Sequence, residues 1–472
     1  MIRQYFRLSF ILFGLVFFSF SGLSQTRKVK TKSEIDLQST DSGKVNKLVP
    51  ERLFLPFDTV VKPDSSSIAE ILFNPELKLI DPDTFKLELS LVTPDSSLLN
   101  RDSSRIIDVH PQDAIRANVF KLETKNKQAS LIFYGSIRVN GAMDYNGLQS
   151  VDAFNTYYIP VGEQNSNVRR FYMSASQTRF GILGNNKTSF GPVNFKVEAD
   201  FRGKYRTLRI RHAYGQFINI LAGQTWSVFG DPFAIPWTVD LEGPNSSVNQ
   251  RAVQIRYSNL VNEKFRYMVS IETPQVEFVP SDSIVSIYQG FPDLAARMKF
   301  MMKKGHFQAA FIIRSLGVKN ASDQSTESMG VGGLLSGRYD IKKRRTLLFQ
   351  VVGGKGIARY ISSLKGTGSD VVLNPATNRY EPLPVFGGFV SFAWGWNDHL
   401  YSFLTPGFTS IKNKDFQEDD AFSFSAYFSV NTFFDITEGF RFGAEYSYGS
   451  RVNKDTEMGS ANRLSIIFYY SF

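Results

Sequence analysis

The side chains in this 472-residue chain that could do chemistry are mostly of one kind. Cysteine is absent, which excludes a disulfide framework, a thiolate zinc site, an iron–sulfur cluster and a cysteine nucleophile. The four histidines, His110, His212, His306 and His399, stand alone. None has a second ligand at i, i+4 or His-x-Glu spacing, so no metal site is expected. No serine or aspartate pairs with a histidine on one patch of neighbouring strands, as a barrel hydrolase would need. The chain therefore reads as a non-enzyme without a cofactor. GVGG at 330–333 and GGKG at 353–356 are not phosphate loops, because strand periodicity runs through both and no helix follows. Glycine there is expected to relieve crowding within strands.

Arginine and lysine at alternate positions remain. Arg209, Arg211, Arg256, Arg266, Arg297, Lys299, Arg314 and Arg338 share one parity with Lys196 and Arg202. The acids of that parity are fewer: Glu198, Asp200, Glu272, Asp340 and Glu445. A wall rich in guanidinium groups focuses a positive field into a channel and grips carboxylates through paired hydrogen bonds. A blander reading pairs these arginines with Glu198, Asp200 and loop acids, and both can hold at once. Lys+Arg total 54 against 44 Asp+Glu, a formal net charge of +10. The signal peptide described below and the strand-by-strand spread of arginine argue against a nucleic-acid partner. His212 has the parity of Leu208, Ile210 and Tyr214, so it is expected in the barrel wall or at a subunit interface.

The elements that must position these residues have period two. Val193, Phe195, Val197, Ala199 and Phe201 alternate with Asn194, Lys196, Glu198, Asp200 and Arg202. Phe440, Phe442, Ala444, Tyr446 and Tyr448 alternate with Arg441, Gly443, Glu445, Ser447 and Gly449. Each run reaches the ~9–11 residues that a tilted membrane strand needs. Aromatic residues make up 14% of the chain, as expected where every second side chain meets lipid. Sixteen such runs lie between 131 and 472; the second covers 170–183 and the fourth 206–216. Gaps after odd-numbered runs are mainly long, and those after even-numbered runs are short. Long loops on one rim and short turns on the other define an all-β, transmembrane, antiparallel β-barrel.

The segments outside the barrel set the compartment. Residues 1–24 carry Arg3 and Arg7, the apolar run LSFILFGLVFFSF and then small residues, the pattern of a secretory signal peptide. Residues 25–127 are Ser/Asp-rich and punctuated by proline, and read as a periplasmic, largely unstructured arm that tethers or docks. The barrel occupies 128–472, in the outer membrane of a Gram-negative bacterium, with its lipid as a partner. The terminal aromatic, Phe472, resembles the signal that such barrels present to the insertion machinery.

A barrel of about 16 strands encloses an aqueous channel. Function then depends on what narrows it. The gap 228–250 holds Pro232, Pro236 and Pro244, Phe233 and Trp237, with Asp231, Asp240 and Glu242. Such a segment is too apolar for bulk water and is expected to fold inward as a constriction loop. The other reading is an outward loop or a lid on a neighbouring subunit.

SQTRFGI (176–182), FKVEADFRG (195–203), LRIRHAYGQF (208–217), LAGQTWSVFGDP (221–232), TVDLEGPN (238–245) and VQIRYS (253–258) together resemble the DcaP-like family of trimeric outer-membrane porins. The resemblance covers about 80 residues closely and the rest of the barrel by pattern. It implies a homotrimer of 16-stranded barrels that passes small anionic solutes, dicarboxylates among them. It also implies that Arg179, Arg209, Arg211, Gln224, Trp226, Asp240, Glu242 and Arg256 lie at or near the pore constriction. Family members can carry a coiled-coil-like segment before the barrel, whereas residues 25–127 show no heptads. The competing function is a surface barrel that acts as an adhesin or structural protein and carries no current.

Overall fold

The computed structural model describes Phe85–Glu88 and residues 120–472, apart from short stretches at 147, 149–152, 163–167, 280–283, 288, 321–324 and 438. The expected signal peptide and most of the expected arm lie outside the described residues. Alternation of apolar and polar side chains yields sixteen barrel strands, numbered here in chain order. They are β1 (Ala129–Tyr145), β2 (Arg179–Thr188), β3 (Gly191–Asp200), β4 (Arg209–Phe217), β5 (Ile220–Trp226), β6 (Arg251–Asn262), β7 (Phe265–Glu272) and β8 (Asp293–Met302). β9 (Gly305–Asn320), β10 (Ser325–Lys342), β11 (Arg345–Lys355), β12 (Pro384–Gly395), β13 (Leu400–Ile411), β14 (Phe422–Thr437), β15 (Phe440–Asn453) and β16 (Met458–Ser471) complete the set. Every neighbour pair is antiparallel, and β16 returns to β1 with Ser471 opposite Ser136 and Asn462 opposite Tyr145. The sheet is closed, so no edge is left to lipid.

The second strand differs from the expected run over 170–183. Arg170–Ser174 pairs with 140–144 of β1, the chain turns at 175–178, and pairing resumes from Arg179 to Thr188. Thr178 closes the turn by donating its N–H to the Ala175 carbonyl, and its hydroxyl accepts the Arg138 N–H. Within the stretch expected as an arm, Phe120–Thr124 pairs with β1 below the end of β16, and Phe85–Glu88 pairs with it in turn. Phe472 exchanges two backbone hydrogen bonds with Gly135. A Cβ at Gly135 would come within 2.6 Å of the Phe472 ring, so glycine is required where the last residue closes the seam.

Lipid-facing positions are apolar and exposed, among them Val197, Ile210, Ile255, Phe311, Leu335 and Phe468. The interior is not uniformly polar. Ile312, Leu316, Leu334 and Val352 point inward and are fully buried. Ile312, Leu334 and Val352 form the floor of a dry core with Val228, Phe229 and Val248 from one inward loop and Ile357, Tyr360, Ile361 and Leu364 from another. Inward glycines let these loops approach the wall closely. A Cβ at Gly332 would meet Ile357 at 2.8 Å, and one at Gly387 would meet Ser246 at 2.9 Å. The crowding expected at 330–333 and 353–356 is of two kinds: Gly332 meets the loop through Ile357, whereas a Cβ at Gly354 would run into the Val331 carbonyl of the neighbouring strand and one at Gly353 would meet the Phe386 ring at 3.0 Å.

Candidate functional site

The loop between β5 and β6 runs inward, as its apolar and acidic residues require. It leaves β5 with Phe229 buried and bends through Pro232–Ala234, where the Asp231 carboxylate accepts the Phe233 N–H at 3.3 Å. Asp231 is fully buried against the far wall, bonded to Lys299 Nζ at 3.1 Å, His306 Nε2 at 2.7 Å and Ser336 Oγ at 2.8 Å. Burial alone would raise its pKa, but Lys299 and His306 hold the carboxyl well below the usual carboxylate range. Arg297 and Gln308 donate to the preceding carbonyl, that of Gly230, at 3.0 and 3.1 Å.

Further along, the loop crosses to β13–β16. The Trp237 ring lies among Tyr401, Phe403 and Phe433, with the Arg441 guanidinium 4.5 Å from its centroid. The Val239 N–H donates to Glu445 at 2.7 Å. Asp240 accepts from the Phe154 N–H at 2.8 Å and from Arg463 at 2.9 Å. On the way back, Asn245 reaches Ser425 Oγ at 3.0 Å, and Gln350 donates to the Ser246 carbonyl at 2.9 Å. The loop is thus pinned to β8–β11 and β13–β16 by its own acids, ring and backbone.

The wall of β1–β6 has different chemistry. Arg211 donates to Glu198 at 2.7 Å and to Asp200 at 3.0 Å. Arg209 grips Asp200 through two bonds of 2.9 and 2.7 Å. Lys196 and Tyr134 complete the shell of Glu198 at 3.1 and 2.7 Å. Arg179 stands opposite Asp200 in the ladder, and Arg138 stacks 4.5 Å from the Tyr469 ring. Arg251 stacks 4.0 Å from the Trp226 ring and lies within electrostatic range of Arg179, Arg209 and Arg211. Six cations here surround two carboxylates, Glu198 and Asp200.

A second inward loop, between β11 and β12, links the two walls. Its Lys365 lies within electrostatic range of Arg251 and Arg209, and burial with these neighbours and Arg359 brings its pKa down to about 8. Across from it, Glu242 accepts weakly from Asn155 at 3.4 Å. Burial, and then Asp240, push the Glu242 carboxyl up to about 8.

The eight expected site residues therefore separate. Arg179, Arg209 and Arg211 come together, and Trp226 joins them through Arg251. Arg256 is buried five residues further along β6 from Arg251. Asp240 and Glu242 belong to the inward loop. Gln224 donates its amide to the backbone carbonyls of Ile210 at 2.8 Å and Arg211 at 3.3 Å. Those carbonyls flank an irregularity: Glu198 pairs with His212 while Ala199 pairs with Ile210, so Arg211 is the extra residue of a bulge. The bulge reverses parity, and this corrects the position of His212. Its ring points inward and is buried, 3.0 Å from Thr225 Oγ1. Arg138, Arg251 and Lys365 were not among the expected residues. Arg138 was accessible through its parity with Ser136 and Asn140, which also face inward. Arg251 opens its strand and Lys365 sits in a loop, where parity gives no signal.

Comparison with known proteins follows from this geometry. The DcaP outer membrane protein family matches residues 115–472. The outer membrane channel DcaP of Acinetobacter baumannii superposes with a TM-score of 0.66 at 22% identity, covering 74% of this chain and 99% of that one. The anion-selective porin of Comamonas acidovorans gives a TM-score of 0.49 at 10% identity, over 73% of this chain and 100% of that one. A loop L8 deletion mutant of OmpT, an outer membrane protein of Vibrio cholerae, gives 0.47 at 12% identity, over 73% and 100%. No curated protein sequence matches the chain. The family match over the whole barrel and the sixteen closed strands agree: the chain belongs to the DcaP outer membrane protein family, β-barrel channels of the Gram-negative outer membrane.

Proposed function

We propose that the chain is a porin for small anionic solutes, dicarboxylates included, which pass along the basic wall of β1–β6 beside the inward loop at 228–250. One observation carries this reading. Two of the loop's acids are committed to the opposite wall, Asp231 to Lys299 and His306 and Asp240 to Arg463, and the third, Glu242, keeps its proton up to about 8, so at neutral pH they do not neutralise the arginines across the lumen. An anion meets neighbouring guanidinium groups of Arg179, Arg209, Arg211 and Arg251, held where a low-dielectric wall strengthens their field. Two carboxylates on one solute can each engage a guanidinium fork, which supports dicarboxylates as the preferred class. The wall passes solutes without transforming them, so no catalytic role is assigned. A homotrimer is the assembly that the family resemblance supports.

Reversal potentials in planar bilayers under a salt gradient test the proposal. Anion selectivity is the expected result; cation selectivity overturns it. A purified, folded barrel with no ohmic current favours the surface-protein reading instead.

A further inference from the structure

The rim of short turns carries a charge pattern unrelated to permeation. Three neighbouring hairpins, β6–β7, β8–β9 and β10–β11, turn through Lys264, Lys303, Lys304, Lys342, Lys343 and Arg344, all exposed. Glu263 is the one acid within these turns. The next hairpin, β12–β13, contributes Asp398, which pairs with Arg344. Beyond it, at the β14–β15 hairpin, Asp435 is engaged by Arg441. The positive charge is densest over this arc and ends at these acids on one side and at the uncharged β4–β5 turn on the other; the same rim also carries exposed Lys125 and Lys127 before β1 and Lys187 at the β2–β3 turn. The long-loop rim mixes signs, with Asp415, Glu418, Asp419, Asp420, Asp455 and Glu457 beside Lys204, Arg206, Lys412, Lys414 and Lys454.

The arc sits directly beneath an outward-facing interfacial belt. Phe265 and Phe300 contact each other with ring centroids 4.8 Å apart, and Met301 and Met302 lie exposed beside them. Trp394 and Trp396 stack at 4.8 Å, and the Arg345 guanidinium lies 5.1 Å from the Trp394 ring. Aromatic girdles mark the headgroup level of the bilayer, and short turns mark the periplasmic side. Cations at this depth face lipid phosphates, while their stems can lie along the apolar belt.

We propose that this arc, from Lys264 to Arg345, is a binding surface for anionic phospholipid headgroups of the inner leaflet. A phosphodiester without a compensating amine, as in phosphatidylglycerol, matches an arc of cations. Phosphatidylethanolamine brings its own ammonium group and gains less. The geometry favours lipid over cell wall, because the cations flank the belt rather than projecting from it on a separate module.

Two native tryptophans sit beside the arc and provide the test. The full chain is reconstituted in bilayers of phosphatidylethanolamine containing either phosphatidylglycerol or phosphatidylethanolamine brominated near the headgroup. Trp226 and Trp237 are buried inside the barrel, so quenching reports Trp394 and Trp396. Brominated phosphatidylglycerol is expected to associate about five- to thirtyfold more strongly than brominated phosphatidylethanolamine, the attraction of one or two lysines for an anionic surface at about 1 kcal/mol each. The preference should vanish in the variant Lys303→Ser, Lys304→Ser, Lys342→Ser, Lys343→Ser, whose folding is verified by heat-modifiable migration on gels. Equal quenching by the two lipids overturns the proposal. So does retention on purified peptidoglycan sacculi that the same substitutions abolish while lipid preference is absent.

Discussion

Asp231→Asn is the most direct test of how the inward loop is held. The carboxylate has no exposed surface and accepts from Lys299, His306 and Ser336 at 3.1, 2.7 and 2.8 Å. Asparagine keeps the shape but loses the charge and turns one acceptor into a donor. Hydrogen bonds to a charged group contribute about 1.5–3 kcal/mol each, so losing two puts the cost at about 3–6 kcal/mol. At about 1.4 kcal/mol per tenfold, the held arrangement loses about two to four orders of magnitude in its equilibrium. The Trp237 stack and the Glu445 bonds still anchor the far end, and the sixteen-strand ladder is untouched, so the barrel should remain closed. Single-channel recording should then show larger, noisier conductance and weaker selectivity, while gel migration of the folded barrel is unchanged. Because the Asp231 pKa is depressed, its contribution is fully present above the unfolded carboxylate range of about 4 and is lost only as pH falls below it. The wild type should therefore hold steady conductance from pH 7 down to about 5. Wild-type noise and selectivity in the variant would refute the latch.

Arg211→Ala or Arg256→Ala should lower anion selectivity without preventing folding, since water-facing substitutions tune permeation. A unit charge about 8 Å from a passing ion is worth ~0.5–2 kcal/mol between ε of 80 and 20, and unchanged reversal potentials in both variants would reject the basic wall as selectivity element. Anion preference should also fall between pH 7 and 9, because Glu242 gains a negative charge and Lys365 loses a positive one, each near 8. Glu242 is faced by Asp240, Arg202, Lys365 and Ser362, and Glu242→Gln should remove its share of that pH dependence in the same recordings. Its raised carboxyl keeps a proton that the unfolded chain sheds above about 4.3, so its effect is a loss of stability as pH rises from there through 8, which Glu242→Gln should abolish in thermal melts. Gly332→Leu should drive a side chain into Ile357 and lower the melting temperature, whereas the same change at Gly333, where a Cβ meets nothing within 4 Å, should be nearly neutral.

Strand existence and order were legible because membrane strands obey one strong rule. Lipid punishes every polar outward position, and the pattern survives even where residue types vary. The break at 175–178 was not legible. Ala175 and three polar residues there fit a strand or a turn, and the Thr178–Ala175 and Arg138–Thr178 bonds show which prevails. The bulge at Arg211 hid for a similar reason. Arg211 and His212 are both polar enough to face water, so the two registers differ only in the ladder with β3. Parity counted through the bulge therefore sent His212 to the wrong face.

The interior was harder, because its organisation is set by contacts far apart in sequence. Asp231 meets residues 68 to 105 positions away. Yet one clue is local. Phe311–Ile313, Leu334–Leu335 and Val351–Val352 are apolar on both faces of their strands. In a water-filled tunnel the inward members would be misplaced. They are the footprint of the loops at 228–250 and 356–364, which cover them with Val228, Ile357 and Ile361. The same rule supports the proposed solute path by subtraction. β3, β4 and β6 carry polar or charged side chains at nearly every inward position, from Asn194, Lys196 and Glu198 to Gln254, Arg256 and Ser258. A strand that stays amphipathic can face water, and one that is apolar on both faces must be covered. The proposed lane therefore follows from the strand pattern, while the loop that borders it follows from the exceptions to that pattern.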